Sequence, residues 1–344
     1  MIGRRFPRTT ALAGVLLAAL ALAACGKTGA SGGDNQPGQI VFSILPTGPA
    51  SELRANWDPV LADMEKSTGL KIKPYIPSNY TVLIEAMKFK QTDAGWFSNE
   101  SGLEAVRRAN GEVFARTVGP KGIDGYYSVL ITNAKTGVTL DRVLKCDKTL
   151  TLGMGDPNST SGTIVPVAFF FGPHKIKPQD CFKIVRSSSH NTNLMSVANG
   201  GLDVATNNST ALMMNRESGR HEADNVKVIW QSPLLPEDPI IWRKDLDPAI
   251  KEKLRQFFLT YGVGDTPEAQ VQRERLAKLH IGGFKPADDS HLMVVREIEA
   301  REKLVLAQQG GDTAKIDDAR KALDDIVAQR QALEARTRAP AAAQ

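Results

Sequence analysis

Asp156-Pro157-Asn158-Ser159-Thr160-Ser161-Gly162-Thr163 is the stretch whose reading decides the fold. It follows an apolar, β-prone run carrying Leu150, Leu152 and Met154, and leads through Ile164, Val165 and Pro166 into a Phe-rich segment that reads as helix. Three hydroxyls, on Ser159, Thr160 and Ser161, therefore fall where a strand ends and a helix begins. The first N–H groups of a helix have no partner inside it and carry the positive end of its dipole. Hydroxyl donors added to that terminus make a receptor for a tetrahedral oxyanion. A single Ser or Thr would be a plain N-cap, since both are preferred there; three in succession after Asp-Pro-Asn point to an anion site. It is not a nucleotide loop, because no Gly-Lys-Ser/Thr follows a glycine-rich run.

Outward from this stretch, short β-prone runs alternate with helical periods. Runs at 40–46, 71–76, 94–97 and 113–118 read as strands, separated by helices that start at Ser51, at Tyr80 and ahead of Leu103. The extended run 126–132 opens a second group, with strands at 150–154, 182–185 and 204–206. Residues 226–230 read as the lead back to a returning strand at 239–242. Such alternation implies an α/β fold with a parallel-rich sheet covered by helices on both faces. Beyond Pro248 the chain turns helical, at 250–263, 268–279 and 291–306. The last helix, 313–336, sets Ile316, Ala319, Leu323, Ile326 and Leu333 at alternating three- and four-residue steps, with Arg330 breaking the series. That narrow seam suits either a homodimer contact or packing back on the same lobe.

The anion stretch, together with Ser-His-Asn-Thr-Asn at 189–193, Val-Ala-Asn at 197–199, Asp-Val-Ala-Thr-Asn-Asn at 203–208 and Asp-Pro-Ile-Ile-Trp at 238–242, resembles the phosphonate-binding proteins of ABC importers. The likeness runs from about Ile40 to the C-terminal helix. It implies a bilobal periplasmic-binding-protein fold, type II-like, with two crossing strands and C-terminal helices. Lobe 1 would be discontinuous, 40–127 plus 234–312; lobe 2 would be 128–233, and 313–338 a C-terminal helix. It further implies a partner permease in the inner membrane and a small phosphonate or related oxyanion as ligand, with no cofactor and no metal.

The resemblance also assigns roles. Ser159, Thr160 and Ser161 match the residues that hold the phosphonate oxygens, and His190 matches an imidazole that donates to the same group. Tyr80 and Tyr126 match two tyrosines that close the cleft from the other side, although either could equally serve as packing. Asp238 matches a carboxylate that holds a ligand's ammonium group. The partner carboxylate of that pattern falls at Thr210, a departure that leaves one charge where the family would supply two; Glu237 would be the remaining help if its loop allows.

The other features bound the reading. At 344 residues with 42% hydrophobic content there is ample material for a core. The formal charge of +5 includes Arg4, Arg5 and Arg8 of an expected leader, without which it is +2, and no basic run with interleaved aromatics suggests nucleic acid. Residues 1–24 have the positive start, apolar run and small-residue end of a signal peptide. Leu-Ala-Ala before Cys25 resembles a bacterial lipobox, so Cys25 is expected to carry lipid and anchor the protein in the cell envelope; an ordinary cleaved signal with an incidental Cys is the alternative. Residues 25–39 read as a flexible tether and 339–344 as a disordered tail. Cys146 and Cys181 sit before neighbouring strands in an oxidising compartment, which favours a disulfide over two free thiols.

Ser159, His190 and Asp238 are the residue types of a hydrolase, but Gly-x-Ser-x-Gly is absent and the stretch offers only Asp156 toward a metal. The sequence therefore reads as a binding protein and not an enzyme. A binder of phosphite or phosphate is the first alternative, and a ligand sensor for a membrane receptor the second.

Overall fold

The computed structural model describes residues 38–338. The expected signal peptide, Cys25, the tether up to residue 37 and the tail 339–344 lie outside the described residues. The chain runs β1 (Gln39–Ser43), α1 (Ala50–Thr68), β2 (Lys71–Tyr75), α2 (Tyr80–Lys88), β3 (Ala94–Trp96), α3 (Asn99–Arg108) and β4 (Gly111–Val118). It then crosses to β5 (Ser128–Asn133), α4 (Leu140–Leu144), β6 (Thr151–Met154), a wide-turned π-type helix over residues 160–171, and α5 (Pro178–Cys181). Next come β7 (Ile184–Ser187), α6 (His190–Ala198), β8 (Val204–Asn208), α7 (Ser209–Glu217) and β9 (Val226–Gln231). The return is made by β10 (Pro239–Arg243), followed by α8 (Pro248–Thr260), α9 (Pro267–Lys278), β11 (Gly283–Pro286), α10 (Met293–Gly310) and α11 (Thr313–Arg338).

Two sheets result, one in each lobe of a bilobal fold. The first is ordered β11-β4-β10-β3-β1-β2 and the second β7-β6-β8-β5-β9. Neither is as parallel as the alternation suggested. β1 pairs in parallel with β2 and β3, and β6 with β7 and β8, but β10, β11, β5 and β9 all pair antiparallel. The double crossing accounts for β5 and β10, which enter a sheet directly from the other lobe with no helical crossover to turn them round; β9 is antiparallel only to the reversed β5, and β11 runs with β10 against β4. Residues 226–230 do not lead back; they form the edge strand β9 of the second sheet, and the crossing begins after it.

Strand alternation divides each core into two. Ile240 and Trp242 of β10 pack with Phe42, Trp57 and Phe258 on one face, while Ile241 points to Leu83, Phe97 and Leu103 on the other. Phe114 stacks on Trp242 with ring centroids 3.9 Å apart. In the second sheet Leu130 and Val204 face Phe170 and Phe171, and Val129, Ile131 and Ala205 face Leu194 and Val197. Fully burying each such side chain stabilises the fold by about 1.5–3 kcal/mol, so a Phe114→Ala change would cost about 3–5 kcal/mol.

Local signals set the helix ends that matter for the cleft. Leu53, Trp57, Val60, Leu61 and Met64 form the buried stripe of α1, which stops at Gly69 in a left-handed turn whose N–H returns to Glu65. Asn79 caps α2, Ser98 and Ser101 form a capping box on α3, and Ser189 caps α6. The two crossings are hydrogen-bonded to each other: Tyr126 N–H donates to the Leu235 carbonyl at 3.0 Å and Leu235 N–H to that of Tyr126 at 2.8 Å. Cys146 is disulfide-bonded to Cys181, with Cα atoms 4.3 Å apart, at the edge of the second lobe away from this crossing.

The C-terminal pair of helices lies across the back. Ile298 of α10 packs on Tyr126, Val165 and Leu235, and Gln309 donates to the Ile176 carbonyl, so α10 touches both lobes. The α11 seam of Ile316, Ala319, Leu323, Ile326 and Leu333 holds the less exposed positions of that helix, and α11 packs on α10 of the same chain. Arg330, where the apolar series breaks, donates to buried Glu297 at 2.6 Å. Among the described residues no helix is long and apolar enough to cross a membrane.

Candidate functional site

β6 ends at Met154, and the chain turns through Gly155 to Asn158 into the π-type helix. Ser159 is its N-cap: the side chain accepts from Gly162 N–H at 3.1 Å. Thr160 and Ser161 supply the next two backbone N–H groups, which the helix itself leaves without partners. The loop backbone is held from below by the second sheet. Ser128 donates to the Ser161 carbonyl at 2.6 Å, and Thr206 to that of Gly162 at 2.7 Å. Gly155 N–H donates to the Gly162 carbonyl, and a Cβ added at Gly155 would lie 2.5 Å from Gly162 Cα, so only glycine allows this return.

His190, the first residue of α6, closes the other side of the same spot. Its Nε2 lies 3.3 Å from Ser159 Oγ and 3.4 Å from Ser161 Oγ, and Asn207 fixes its backbone by donating to the His190 carbonyl at 2.9 Å. Burial pushes its pKa down to about 4, so the imidazole is neutral at pH 7, and Nδ1 is buried with no partner. Asn208 adds a donor, Nδ2 to Ser161 Oγ at 3.4 Å, while its Oδ1 caps α7. Two hydroxyls, an imidazole, an amide and a helix terminus thus converge with no full charge among them. That set suits a group with several acceptor oxygens.

Thr160 does not turn the same way as its neighbours. Its Oγ1 accepts from Glu100 N–H at 2.8 Å, at the start of α3 in the other lobe, whereas Ser159 and Ser161 line the cavity. Tyr80 N–H donating to Asp156 and Asn158 donating to Thr81 at 3.0 Å are further ties between the loop and the first lobe. Of the three expected hydroxyls, that of Thr160 is therefore engaged by the other lobe; Ser159 is still extended backbone (φ −88°, ψ 124°), so the change from extended to helical backbone, and not a regular helical step, sets which side chains share the cavity face.

Opposite this pole stand the acids. Asp238 follows the second crossing, receives Asn99 Nδ2 at 3.4 Å and lies within hydrogen-bonding reach of Tyr126. Burial, with Glu237 beside it, holds its carboxyl well above the usual range. Its side chain lines the cavity. Glu237, which the motifs left in doubt, also lines the cavity; burial pushes it up to about 7 against a hydrogen bond from Thr117. His291 Nε2–H donates to the Glu237 carbonyl at 2.8 Å and fixes this corner. Tyr80 and Tyr126 are buried at the cavity wall, and burial together with Asp238 raises both phenols. Thr210 lines the same cavity from α7.

The cavity between the lobes measures about 120 Å³, room for a ligand of several heavy atoms. It takes in all the expected site residues except Thr160. It also takes in groups that the motifs did not flag. Trp96 sits in the wall with its indole N–H unpartnered, and Glu52 and Arg220 meet across the mouth. No signal in the sequence pairs Glu52 with Arg220, since they lie 168 residues apart.

The chain is similar to known proteins over most of its length. A family model described as "ABC transporter, phosphonate, periplasmic substrate-binding protein" matches residues 42–292. The phosphonates-binding periplasmic protein of Escherichia coli is 41% identical over 266 residues, 77% of each chain. A crystal structure of a binding protein component of an ABC phosphonate transporter from Pseudomonas aeruginosa superposes with TM-score 0.82 at 35% identity, covering 86% of this chain and 99% of that one. A Prochlorococcus marinus protein solved in complex with methylphosphonate shares the fold, with TM-score 0.67 at 19% identity over 76% of this chain and 97% of that one. Matched over most of its length by both family model and relative, the chain belongs to the family of periplasmic substrate-binding proteins of phosphonate ABC transporters.

Proposed function

We propose that the cleft captures a phosphonate by its oxygens and delivers it to an ABC permease, without chemical turnover. The observation that carries this is the convergence of Ser159 Oγ, Ser161 Oγ and His190 Nε2 within 3.4 Å at a helix start inside the interlobe cavity. These groups supply hydrogen-bond donors without full charges, which permits release as well as binding. Facing them, Asp238 and Glu237 are placed to meet an ammonium on the ligand's organic end, with Tyr80 and Tyr126 walling the space between. The pairing of two carboxyls favours an aminoalkyl-phosphonate over phosphate or phosphite, which would leave both acids unused.

The leader and the lipobox at Cys25 support export and lipid anchoring in the envelope, with 25–39 as tether. A homodimer through 313–336 would compete with the packing of α11 on α10 of the same chain. The lobe limits 40–127 plus 234–312 and 128–233 are consistent with the two sheets. The test is a thermal-shift screen of the mature domain against phosphate, phosphite, and alkyl- and aminoalkyl-phosphonates. A ligand at 100 times its Kd stabilises the native state by about 2.7 kcal/mol, and a rise is expected for phosphonates. No shift with any of them would overturn the proposal.

A further inference from the structure

The cavity mouth is closed by side chains that neither the oxyanion pole nor the carboxyl pair uses. Glu52 lies in the first turn of α1, and Arg220 follows α7 in the other lobe. Arg220 Nη1 and Nη2 donate to Glu52 Oε1 and Oε2 at 2.6 and 2.9 Å, two parallel bonds that fix both side chains. Beside them His280 Nε2 lies 3.1 Å from Glu217 Oε2, a second contact from lobe to lobe. Glu52, Arg220 and His280 all line the cavity, and Leu53, Met214 and Ile281 add apolar wall. Ties at Tyr80, Thr81, Ser98 and Glu100 engage the loop 156–160 at the oxyanion pole.

We propose that the Arg220–Glu52 pair is a specificity-determining roof: it holds the cleft shut behind the ligand and limits the length of the organic group that fits beneath it. The proposal rests on the reading of the cleft as a phosphonate site. The lobes cannot part at this end without breaking both bonds of the fork, so the pair acts on ligand escape more than on entry. A short organic group leaves the roof intact. A longer one must push the two side chains apart and expose the apolar wall to water.

The experiment measures association and dissociation of ethyl-, butyl- and hexylphosphonate with the mature domain. It compares native protein, Arg220→Ala, and the charge swap Glu52→Arg with Arg220→Glu. The pair is part-exposed, with side chains 36% and 45% accessible, so its effect is modest. Arg220→Ala is expected to speed ethylphosphonate dissociation about three- to fivefold with little change in association. It should also improve hexylphosphonate relative to ethylphosphonate by about fivefold, and the charge swap should restore both native values. Native binding of ethylphosphonate with rates and chain-length ratio unchanged in Arg220→Ala would overturn the roof, as would a swap that stays as fast as the single variant. Failure of the native protein to bind any of the three, or aminoethylphosphonate run beside them, would overturn the phosphonate reading itself, and the roof with it.

Discussion

Two phosphonates that differ only in an amino group are predicted to differ in the protons they exchange on binding. In the closed cleft, burial and the neighbouring Glu237 hold the Asp238 carboxyl well above the usual carboxylate range. Glu237, pushed up to about 7, is half protonated there. An ammonium placed against both carboxyls favours their charged forms and draws both values down. Ethylphosphonate brings no cation and leaves the acids in their closed-cleft state. Aminoethylphosphonate therefore releases more protons on binding at pH 7 than ethylphosphonate does, whatever the state of the free protein.

The sign follows from raised carboxyl values. The closed complex with ethylphosphonate is favoured while the acids hold their protons, and it loses affinity as pH rises through about 7, where Glu237 ionises. The aminoethyl complex escapes that loss. Calorimetry in two buffers of different ionisation enthalpy, corrected for each free ligand's own titration, reads the proton count directly. Asp238→Asn should reduce the difference in proton release and weaken aminoethylphosphonate by about 2–3 kcal/mol while sparing ethylphosphonate. Equal proton counts for both ligands in the native protein would refute the placement of these acids at the organic end.

Ser161→Ala is expected to weaken every phosphonate by a similar amount, about 1.5–3 kcal/mol, because it removes a donor to the group they share. Thr160→Ala should cost about 1 kcal/mol through the lost Glu100 bond, seen as a faster opening rate and not as altered ligand choice. Thr210→Glu should favour aminoethyl- over ethylphosphonate by about 1–2 kcal/mol, and no change would mean that the α7 side chain does not reach the organic group. Replacing Cys146 and Cys181 by Ser removes a link between residues 35 apart, which should cost about 3–4 kcal/mol of stability and leave ligand affinity intact.

The oxyanion pole was legible because it is local: Ser159, Ser161 and the strand-to-helix change lie within a few residues, and His190 sits at the next such junction. Local patterning also gave most strands and helices. It failed where partners decide the outcome. β9 has the composition of any half-buried strand, and only its antiparallel pairing with β5 assigns it to the second sheet. β11 is four residues ending in Pro286, too short for a periodic signal, and exists because β4 offers an open edge. The stripe on α11 reads the same whether it faces a second copy or α10. Thr160 shows the finest limit: hydroxyl type and spacing mark a site, but the twist of the helix start decides which side chain faces the ligand.

A calorimetric titration of the mature domain with aminoethylphosphonate, set beside His190→Ala, tests the central claim most directly. The account predicts saturable one-to-one binding to the native protein with Kd of about 1 μM or tighter, weakened at least about tenfold by the substitution. It would be contradicted by binding of equal strength in the variant, or by no saturable binding of aminoethyl- or alkyl-phosphonates at millimolar concentration.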